Sequence, residues 1–393
     1  MPSLATSARW AASGAQALTG DAVRPGLVAP RGVVERIVGL GEPLGIDALA
    51  LLGERAAIAG LARRGSVSCG GATRLLPGPD GAWLAVSLAR DDDVAAVPAW
   101  LGLPGPPPPD ELWTRVAEAV AATPPAGILD GAATLGLPVA RVGETPPGPA
   151  VVAERIGEGP PLRRSALVVD LSSLWAGPLC TRLLARGGAR VVKVESLTRP
   201  DGARRGPAAF FALLHAGQRA VALDLATAPG RERLRALVAA ADVVVEGSRP
   251  RALAQLGIAP DADGPQVWVS ITGHGRTGPG GDRVAFGDDA AAAGGLVAWG
   301  SDGAPRFVAD AVADPLAGVA AAGATARALA AGGRWLVDVA LARVAATVAG
   351  DREEWDEGDP GVEAPPTARP PAGGPPPELG EHTAEVLAEL GID

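Results

Sequence analysis

The stretch VVDLSSLWAGPLCTRLLARGGARVVKVES (residues 168–196) decides the fold, because it reads as strand, turn, helix and strand. An apolar run over 166–169 ends in two valines, and the turn at 175–178 contains a helix-opening proline. Leucines at helical spacing follow over 179–185, two glycines end this helix, and 190–194 is a second strand. Strands joined by such a crossover are parallel, so the stretch predicts a βαβ unit.

The same alternation continues along the chain and predicts an α/β fold. Further strands are expected at 220–225, 243–245, 267–271 and 335–339, and further helices at 231–240 and 314–331. This order predicts a doubly wound, mostly parallel, Rossmann-like large domain over 165–350.

The remaining residues are expected to form smaller units around this domain. Residues 1–65 form a helical segment, and 66–150 form a small α+β domain, whose hairpin turns at the Pro-Gly-Pro-Asp-Gly sequence of 77–81. Residues 351–377 are a Pro/Gly-rich linker, and 378–393 contain a C-terminal helix.

Composition excludes several classes of protein. The net charge of −9 argues against binding to nucleic acid or to an anionic membrane surface. The only two cysteines, Cys69 and Cys180, exclude a disulfide framework, and no residues stand at metal-ligand spacing. The N-terminus lacks the charged and apolar parts of a signal peptide, and no apolar run is long enough to span a bilayer. We therefore expect a cytoplasmic protein.

A series of short motifs between 166 and 340 resembles the family III CoA-transferases, whose relatives include the α-methylacyl-CoA racemases. The motifs follow one another in the family's order, which makes the series far more specific than any single motif. They lie at 170–178, 188–195, 201–204, 218–224, 241–250, 256–257, 270–279, 314–318 and 333–339, and a closing segment at 379–391 is also similar.

The order of the domains departs from that family. Its members usually place the small α+β domain after the region that ends near residue 345 here, whereas residues 66–145 resemble that domain in this chain. The chain thus resembles the back part of one family unit followed by the front part of another, as a fused or permuted ancestor would give. The resemblance also implies an interlocked homodimer.

The resemblance implies that Asp314, four residues before Gly318, is the catalytic aspartate. In the family this carboxylate attacks an acyl-CoA thioester, and an aspartyl anhydride and an aspartyl-CoA thioester follow before CoA reaches a carboxylic acid. Helix N-terminal amides are suited to stabilise the oxyanions. A second interpretation is that Asp314 is only a helix cap, because Asp followed by Pro is a common start of a helix. Asp310 is a weaker candidate because its spacing to Gly318 is wrong.

Coenzyme A, or acyl-CoA, is expected as substrate at the carboxyl ends of the parallel strands, and no permanently bound cofactor is expected. By resemblance, candidate contacts are Trp175 and Ala176 in the first loop, Ser196 after the second strand, Gly247 and Ser248 after a later strand, and Arg204 and Arg219 for phosphates. Ser196, Gly247 and Ser248 differ from the residues that family members often carry there. Glycines at 273–275 and 294–295 are candidates for the acyl pocket.

The histidines distinguish transfer from racemisation. A racemase of this superfamily uses a histidine as an acid/base group, and Phe286 occupies the corresponding position here. His215, His274 and His382 match no such position. The favoured function is therefore transfer of CoA from an acyl-CoA to a carboxylic acid. An isomerase resembling the racemases and a non-catalytic subunit with the same fold are the alternatives.

Overall fold

The computed structural model describes residues 4–162, 164–248, 250–260, 264–278 and 280–393, without the side chains of residues 4, 5, 80, 250 and 251. Two positions inside the motif ranges given above lie outside the described residues, Arg249 in 241–250 and Pro279 in 270–279. Within the described part, no helix combines the length and the apolar character that crossing a bilayer requires.

The N-terminal segment consists of helices and one very short strand. Its elements are α1 (Leu4–Ala12), β1 (Leu27–Val28), α2 (Arg31–Gly41) and α3 (Glu54–Ala59). The buried side chains of this segment, among them Trp10, Ile37 and Leu52, join the large hydrophobic core that continues into the C-terminal half. The segment is therefore packed on the rest of the molecule.

A three-stranded antiparallel sheet with three helices follows. Its elements are β2 (Thr73–Pro77), β3 (Trp83–Ser87), α4 (Asp91–Leu101), α5 (Leu112–Ala122), α6 (Pro125–Leu135) and β4 (Val139–Arg141). The hairpin of β2 and β3 lies where its turn sequence predicts. Apolar side chains on one face of the sheet and on the helices, including Leu84, Val97 and Val116, form a separate core.

The second half of the chain builds a seven-stranded sheet with helices on both faces. Its elements are β5 (Val151–Gly157), β6 (Leu167–Asp170), α7 (Ala176–Arg186), β7 (Arg190–Ser196), α8 (Ala208–His215), β8 (Arg219–Leu223), α9 (Ala228–Ala240), β9 (Val243–Glu246), α10 (Pro250–Gln255), β10 (Val267–Thr272), α11 (Gly287–Ala293), β11 (Val297–Trp299), β12 (Pro305–Phe307), α12 (Ala313–Ala331), β13 (Arg334–Ala340), α13 (Leu341–Ala349), β14 (Asp356–Glu357) and α14 (Thr383–Glu389).

The strand order in this sheet is β5-β13-β10-β9-β6-β7-β8, and all pairs except β5 with β13 are parallel. Alternate residues of the central strands face two different cores. Val243 and Val245 pack with α7 and α12, whereas Val244 packs with α9 and α14. The prediction of an α/β fold with a large, mostly parallel sheet is confirmed.

Several element boundaries differ from those expected. Helix α7 begins at Ala176, so that Pro178 lies inside its first turn, and α14 is shorter than the C-terminal helix expected over 378–390. The edge strand β5 was not expected, because four of its seven residues are exposed and its sequence lacks a regular apolar alternation. The linker also carries β14, which pairs with β1, and the buried Trp355.

Candidate active site

The strand order creates a crevice at the carboxyl edge of the sheet. After β6 the chain adds β7 and β8 on one side and then returns to add β9 on the other side of β6. The loops that follow β6 and β9 therefore diverge, which is where open α/β sheets bind ligands. Trp175 and Ala176 end the first of these loops, and Gly247 and Ser248 form part of the second.

Asp314 lies in the first turn of α12, and its carboxylate points across to two other chain segments. The backbone N–H groups of Ala176 and Gly287, which are the first residues of α7 and α11, donate hydrogen bonds to it. Its own helix begins at Ala313, and no side chain caps that helix. The interpretation of Asp314 as a plain helix cap is therefore wrong, because Val312 occupies the N-cap position and Asp314 is the second residue of α12.

The surroundings of Asp314 favour its protonated form more than water does. Burial raises the pKa of Asp314 to about 7. The nearby Asp310 adds to this increase, while the Arg55 guanidinium and the two backbone N–H groups oppose it. Part of the residue is still accessible to solvent. The site thus holds a poorly hydrated carboxylate that is balanced between its two protonation states near neutral pH.

Gly287 leaves the space that Asp314 occupies. A Cβ atom on residue 287 would lie 2.4 Å from Asp314 Oδ2 and 2.3 Å from the carbonyl oxygen of Ala311. A second close approach joins α12 and α7, where a Cβ on Gly318 would lie 2.7 Å from the carbonyl oxygen of Ala176. Glycine at these two positions lets α11, α12 and α7 meet around one carboxylate.

Arg55 brings a positive charge to the site from the N-terminal segment. Its Nε and Nη2 atoms donate to the two carboxylate oxygens of Asp310 at 2.8 and 2.6 Å. Asp310 is fully buried, whereas 30% of the Arg55 side chain is exposed. The guanidinium also lies over the ring of Trp175, with Cζ 5.2 Å from the ring centroid. Arg55 thus connects the loop before Asp314 with the loop before α7.

Non-glycine residues with left-handed backbone conformations surround this site. Leu174 has φ of 70°, and Ala309 and Ala311 have φ of 50° and 43° on either side of Asp310. Residues with side chains adopt such angles at an energetic cost and are held there by their surroundings. Among the described residues these are the three non-glycine positions with positive φ, and all three flank the Asp314 site.

Several side chains hold the strained loop in place. The Ala309 N–H donates to Thr19 Oγ1 at 3.0 Å, and the Ala309 carbonyl lies 3.2 Å from Cys69 Sγ. The Ala311 N–H donates to Asp288 Oδ1 at 3.0 Å. Residues from three distant parts of the chain therefore fix the approach to Asp314.

Asp289 links the start of α11 to the small sheet. Its Oδ1 accepts from the Phe286 N–H at 3.0 Å and from Ser87 Oγ of β3 at 2.9 Å. Ser87 in turn bonds Thr73 of β2 at 2.6 Å. Burial raises the pKa of both Asp288 and Asp289 to about 7.

The other residues proposed from the sequence fall into two groups. Ser196 ends β7 at the same edge as the crevice, and its hydroxyl bonds Thr198 Oγ1 at 3.1 Å. Arg204 follows nearby, but its guanidinium forms a fork with Glu195 at 2.9 and 2.7 Å and also lies over the Phe211 ring. Arg219 begins β8 at the amino edge, where it pairs with Glu389. The structure therefore does not bring Arg219 to the crevice.

Phe286, which stands at the position of the racemase histidine, precedes α11 beside the site, and the Arg90 guanidinium lies 5.6 Å from its ring centroid. Burial lowers the pKa of both His215 and His274 to about 3, so neither is protonated near neutral pH.

Gly294 allows close packing, since a Cβ there would lie 2.5 Å from the Ala342 carbonyl oxygen. Together with Gly295 it lines a cavity of about 300 Å³, and Asp314 is not among that cavity's lining residues.

The sequence analysis missed Arg55, Gly287 and Asp288. Arg55 carries no local signal, because its partner Asp310 lies 255 positions away in the chain. The adjacent acids Asp288 and Asp289, directly after a glycine and before a run of alanines, are a signal of a buried helix start that the sequence offered.

Residues 165–383 match the sequence profile of CoA-transferase family III, which is more than half of the chain. The chain belongs to CoA-transferase family III. Two curated relatives are similar over shorter stretches. An acyl-CoA transferase of Fusarium pseudograminearum is 33% identical over 149 residues, which cover 33% of each chain. The succinyl-CoA–D-citramalate CoA-transferase of Chloroflexus aurantiacus is 31% identical over 168 residues, which cover 39% of this chain and 42% of the relative.

The chain thus spans 33% and 42% of the length of these two relatives. A crystal structure of a CaiB/BaiF family protein from Brucella suis is 32% identical, with a TM-score of 0.43, and the match covers 47% of this chain and 54% of that protein.

Proposed function

We propose that this chain transfers CoA from an acyl-CoA thioester to a carboxylic acid, with Asp314 as the covalent carrier. The observation that carries the proposal is the Asp314 carboxylate itself, which is poorly hydrated, lies directly against Gly287 at the start of α11, and is favoured in its charged form by the backbone N–H groups of Ala176 and Gly287 and by the Arg55 guanidinium. A carboxylate nucleophile that loses little hydration on reaction is well prepared to attack a thioester carbonyl.

The proposed reaction has four balanced steps. An Asp314 oxygen attacks the thioester carbonyl and expels CoA thiolate, which leaves a mixed anhydride. The thiolate attacks Cγ of Asp314, releases the donor acid and forms an aspartyl-CoA thioester. The acceptor carboxylate then attacks the same Cγ to form a second anhydride and to expel the thiolate. The thiolate finally attacks the acceptor acyl carbon, which gives the new acyl-CoA and the free Asp314 carboxylate.

Two backbone amides support charge development in these steps. The N–H groups of Ala176 and Gly287 already point at the carboxylate, and each begins a helix whose N-terminal end carries partial positive charge. When Cγ becomes tetrahedral, the negative charge on its oxygens is still within reach of these donors. Arg55 adds a full positive charge next to the same atoms.

For CoA itself, we propose contacts at the crevice between the loops after β6 and β9. The candidate residues follow the carboxyl ends of three strands. They are Trp175 and Ala176 after β6, Gly247 and Ser248 after β9, and Ser196 at the end of β7. The proposal leaves out Arg204, whose guanidinium is engaged by Glu195, and Arg219, which lies at the other edge. An interlocked homodimer remains part of the proposal, and sedimentation velocity measures it directly.

Hydroxylamine trapping tests the proposal. The protein is incubated with a panel of acyl-CoA donors and carboxylic acids, quenched with hydroxylamine and digested, and peptides are analysed by mass spectrometry. We expect a hydroxamate on Asp314 only when donor is present, together with exchange of CoA between the acid pools. Asp314→Asn should lose at least ~10³-fold in exchange rate while its thermal unfolding stays close to that of the wild type.

Exchange at the wild-type rate by Asp314→Asn would refute the assignment of Asp314. Uptake of solvent deuterium at the α-carbon of the acyl group, without exchange, would support the isomerase instead. Absence of CoA binding in calorimetry would support the non-catalytic alternative.

A further inference from the structure

A buried lysine stands behind the loop that presents Ala176 to Asp314. Lys193 of β7 is fully buried, which is rare for a lysine unless its charge is compensated. Its Nζ lies 3.0 Å from Asp201 Oδ2 and 3.9 Å from Asp170 Oδ2, and both of these aspartates are buried as well. Neither the CoA contacts nor the covalent steps proposed above use this cluster.

The cluster bonds directly to the backbone of the loop after β6. Lys193 Nζ donates to the Ser172 carbonyl at 2.8 Å. Asp201 Oδ1 accepts from the Leu174 N–H at 3.0 Å. Asp170 Oδ1 accepts from the N–H of Ser172 at 2.9 Å and from its hydroxyl. The second and fourth residues of the five-residue loop, Ser172 and Leu174, are thus tied to buried charges.

These bonds surround a strained residue. Leu174 has φ of 70°, and its side chain is 43% exposed, so packing of that side chain does not explain the backbone angle. Gly177 permits the tight turn, since a Cβ there would lie 2.1 Å from Ser172 Oγ. Two residues after Leu174 comes Ala176, which lies against α12, since a Cβ on Gly318 of that helix would be 2.7 Å from the Ala176 carbonyl oxygen. The Ala176 N–H is one of the two backbone amides that favour the charged form of the Asp314 carboxylate.

We propose that the Lys193–Asp201 pair is the positioning unit of this site, which holds the left-handed turn at Leu174 and thereby directs the Ala176 amide at Asp314. The role of that amide in transfer rests on the proposed function, whereas the placement of the amide does not. Lys193 and Asp201 touch no reacting atom, and they act through the backbone of 172–176.

Different charged residues surround Lys193 and Asp314. Asp170, Asp201 and Glu195 face Lys193 and keep it protonated against the effect of burial, while His215 and Arg204 lie near Asp201. Arg55, Asp310 and Asp289 are the charged or titratable groups that act on Asp314. Replacing Lys193 leaves Arg55, Asp310 and Asp289 in place. A changed pKa of Asp314 in that variant therefore reports a displaced Ala176 amide.

The experiment measures the ionisation of Asp314 in Lys193→Met. The labelling rate of Asp314 by a water-soluble carbodiimide with glycine ethyl ester is followed by peptide mass spectrometry from pH 5 to 9, since the protonated carboxyl reacts. We expect the midpoint of this pH profile to move up by about one pH unit when the amide no longer stabilises the carboxylate. In the exchange assay we expect kcat to fall about tenfold or more, with the same shift in its pH profile.

Asp242→Asn is the matched control. Asp242 forms a bidentate pair with Arg164 at 2.6 and 2.8 Å and accepts the Leu167 N–H, but it lies at the opposite, amino edge of the same sheet. It should lose some stability and leave both pH profiles unchanged. If Lys193→Met does not fold, Asp201→Asn and the double variant Lys193→Met/Asp201→Asn take its place, because each removes the attraction with less unpaired buried charge.

The outcomes separate the two proposals. A folded Lys193→Met or Asp201→Asn protein whose labelling midpoint equals that of the wild type overturns the positioning role. If the labelling midpoint shifts in Lys193→Met while the wild-type protein shows no CoA exchange, the positioning role is supported and the proposed transfer is not. A shift of the same size in Asp242→Asn also overturns the proposal, because it would reflect general loosening of the sheet.

Discussion

Both edges of the seven-stranded sheet carry charged residues, but these residues differ in their exposure to solvent. At the carboxyl edge Asp170, Lys193 and Glu246 are completely buried. The loop that follows β6 at this edge contains the strained Leu174. At the amino edge Arg164 and Arg190 are 61% and 50% exposed, and they pair with Asp242 and Glu389, which are 12% and 39% exposed. One edge is built from charges that water cannot reach, and the other from ordinary surface ion pairs.

This difference indicates what each edge is for. Exposed ion pairs contribute little to stability and constrain little, because water competes for both partners. Buried charges cost desolvation energy and are tolerated only in fixed geometry. Burial of charge together with backbone strain at the edge that holds Asp314 therefore indicates an edge selected for position, at the expense of stability.

The strongest test of this comparison is Gly287→Ala at the carboxyl edge. The new Cβ would overlap Asp314 Oδ2 and the Ala311 carbonyl, at 2.4 and 2.3 Å, so the carboxylate or the loop must move. We expect CoA exchange to fall by about 10²-fold, since misplacement by an ångström costs that much, and stability to fall by about 1–3 kcal/mol. Steady-state exchange kinetics and urea unfolding measure the two effects.

Gly39→Ala is the control for this change. Gly39 lies in α2, and a Cβ there meets nothing within 4 Å. The substitution should stabilise the protein by about 0.5–1 kcal/mol and leave exchange unchanged. Wild-type kinetics in Gly287→Ala would show that the three helices do not need to meet as closely as the structure indicates.

A smaller effect is expected for Arg55→Met, which removes the guanidinium beside Asp314. Arg55 lowers the pKa of Asp314, so without it the carboxylate should ionise at higher pH. We expect exchange at pH 7 to fall roughly 10- to 30-fold and the midpoint of its rise with pH to move upward. The pH profile of kcat/KM over pH 5.5–9 measures this.

Arg182→Met is the matched control for Arg55. Arg182 of α7 pairs with Glu54, the residue next to Arg55, and that pair is also largely buried. Both variants should lose stability, but only Arg55→Met should move the pH profile. Identical profiles in the two variants would show that Arg55 acts as a structural ion pair only.

The sequence predicted the sheet well because the signal is local. Strands such as β9 (Val-Val-Val-Glu) and β10 are short apolar runs between turn residues, and each lies within two residues of its expected bounds. The hypothesis that Asp314 is catalytic also came from the sequence, but only through the resemblance to a family, since its spacing alone fits a helix cap.

The contacts around Asp314 could not be predicted from the sequence, because they join residues far apart in the chain. Arg55 and Asp310 are separated by 255 positions, and Ser87 and Asp289 by 202. The left-handed angle at Leu174 is likewise set by Asp201 and Lys193. Arg219 shows the converse, because its place directly before the strand expected at 220–225 already predicts the amino edge, away from the crevice.

A further test compares stability at two pH values. Asp289 has a pKa of about 7 in the folded protein, against 3.8 in its ordinary environment. Between these values the unfolded chain has released the proton and the folded chain retains it, so stability falls as pH rises through this window. Asp289→Asn keeps the Oδ1 acceptor and removes this cost, and we expect it to gain on the order of 2 kcal/mol at pH 8 and little at pH 4.5.

Urea unfolding at both pH values measures this gain. Asp302→Asn is the control, because Arg306 bonds to the exposed Asp302 and lowers its pKa to about 2, which is the opposite direction. That variant should gain nothing at pH 8. If Asp289→Asn is less stable than the wild type at pH 8, the carboxylate is ionised in the folded state and held by partners that the hydrogen bonds described above do not include.

The smallest effect belongs to the amino edge, where Arg164→Met breaks the pair with Asp242. The Arg164 side chain is 61% exposed, and Asp242, which is 12% exposed, keeps the Leu167 N–H as a partner after the substitution. We expect the free energy of unfolding to change by less than about 0.5 kcal/mol, and this difference to shrink further in 1 M NaCl because salt screens exposed charges. Urea unfolding at low and high salt measures it, with Lys193→Met at the other edge as the contrast. A loss above about 2 kcal/mol in Arg164→Met, or a shift in the pH profile of exchange, would mean that the amino edge also holds the site in position, and the contrast between the two edges would then be wrong.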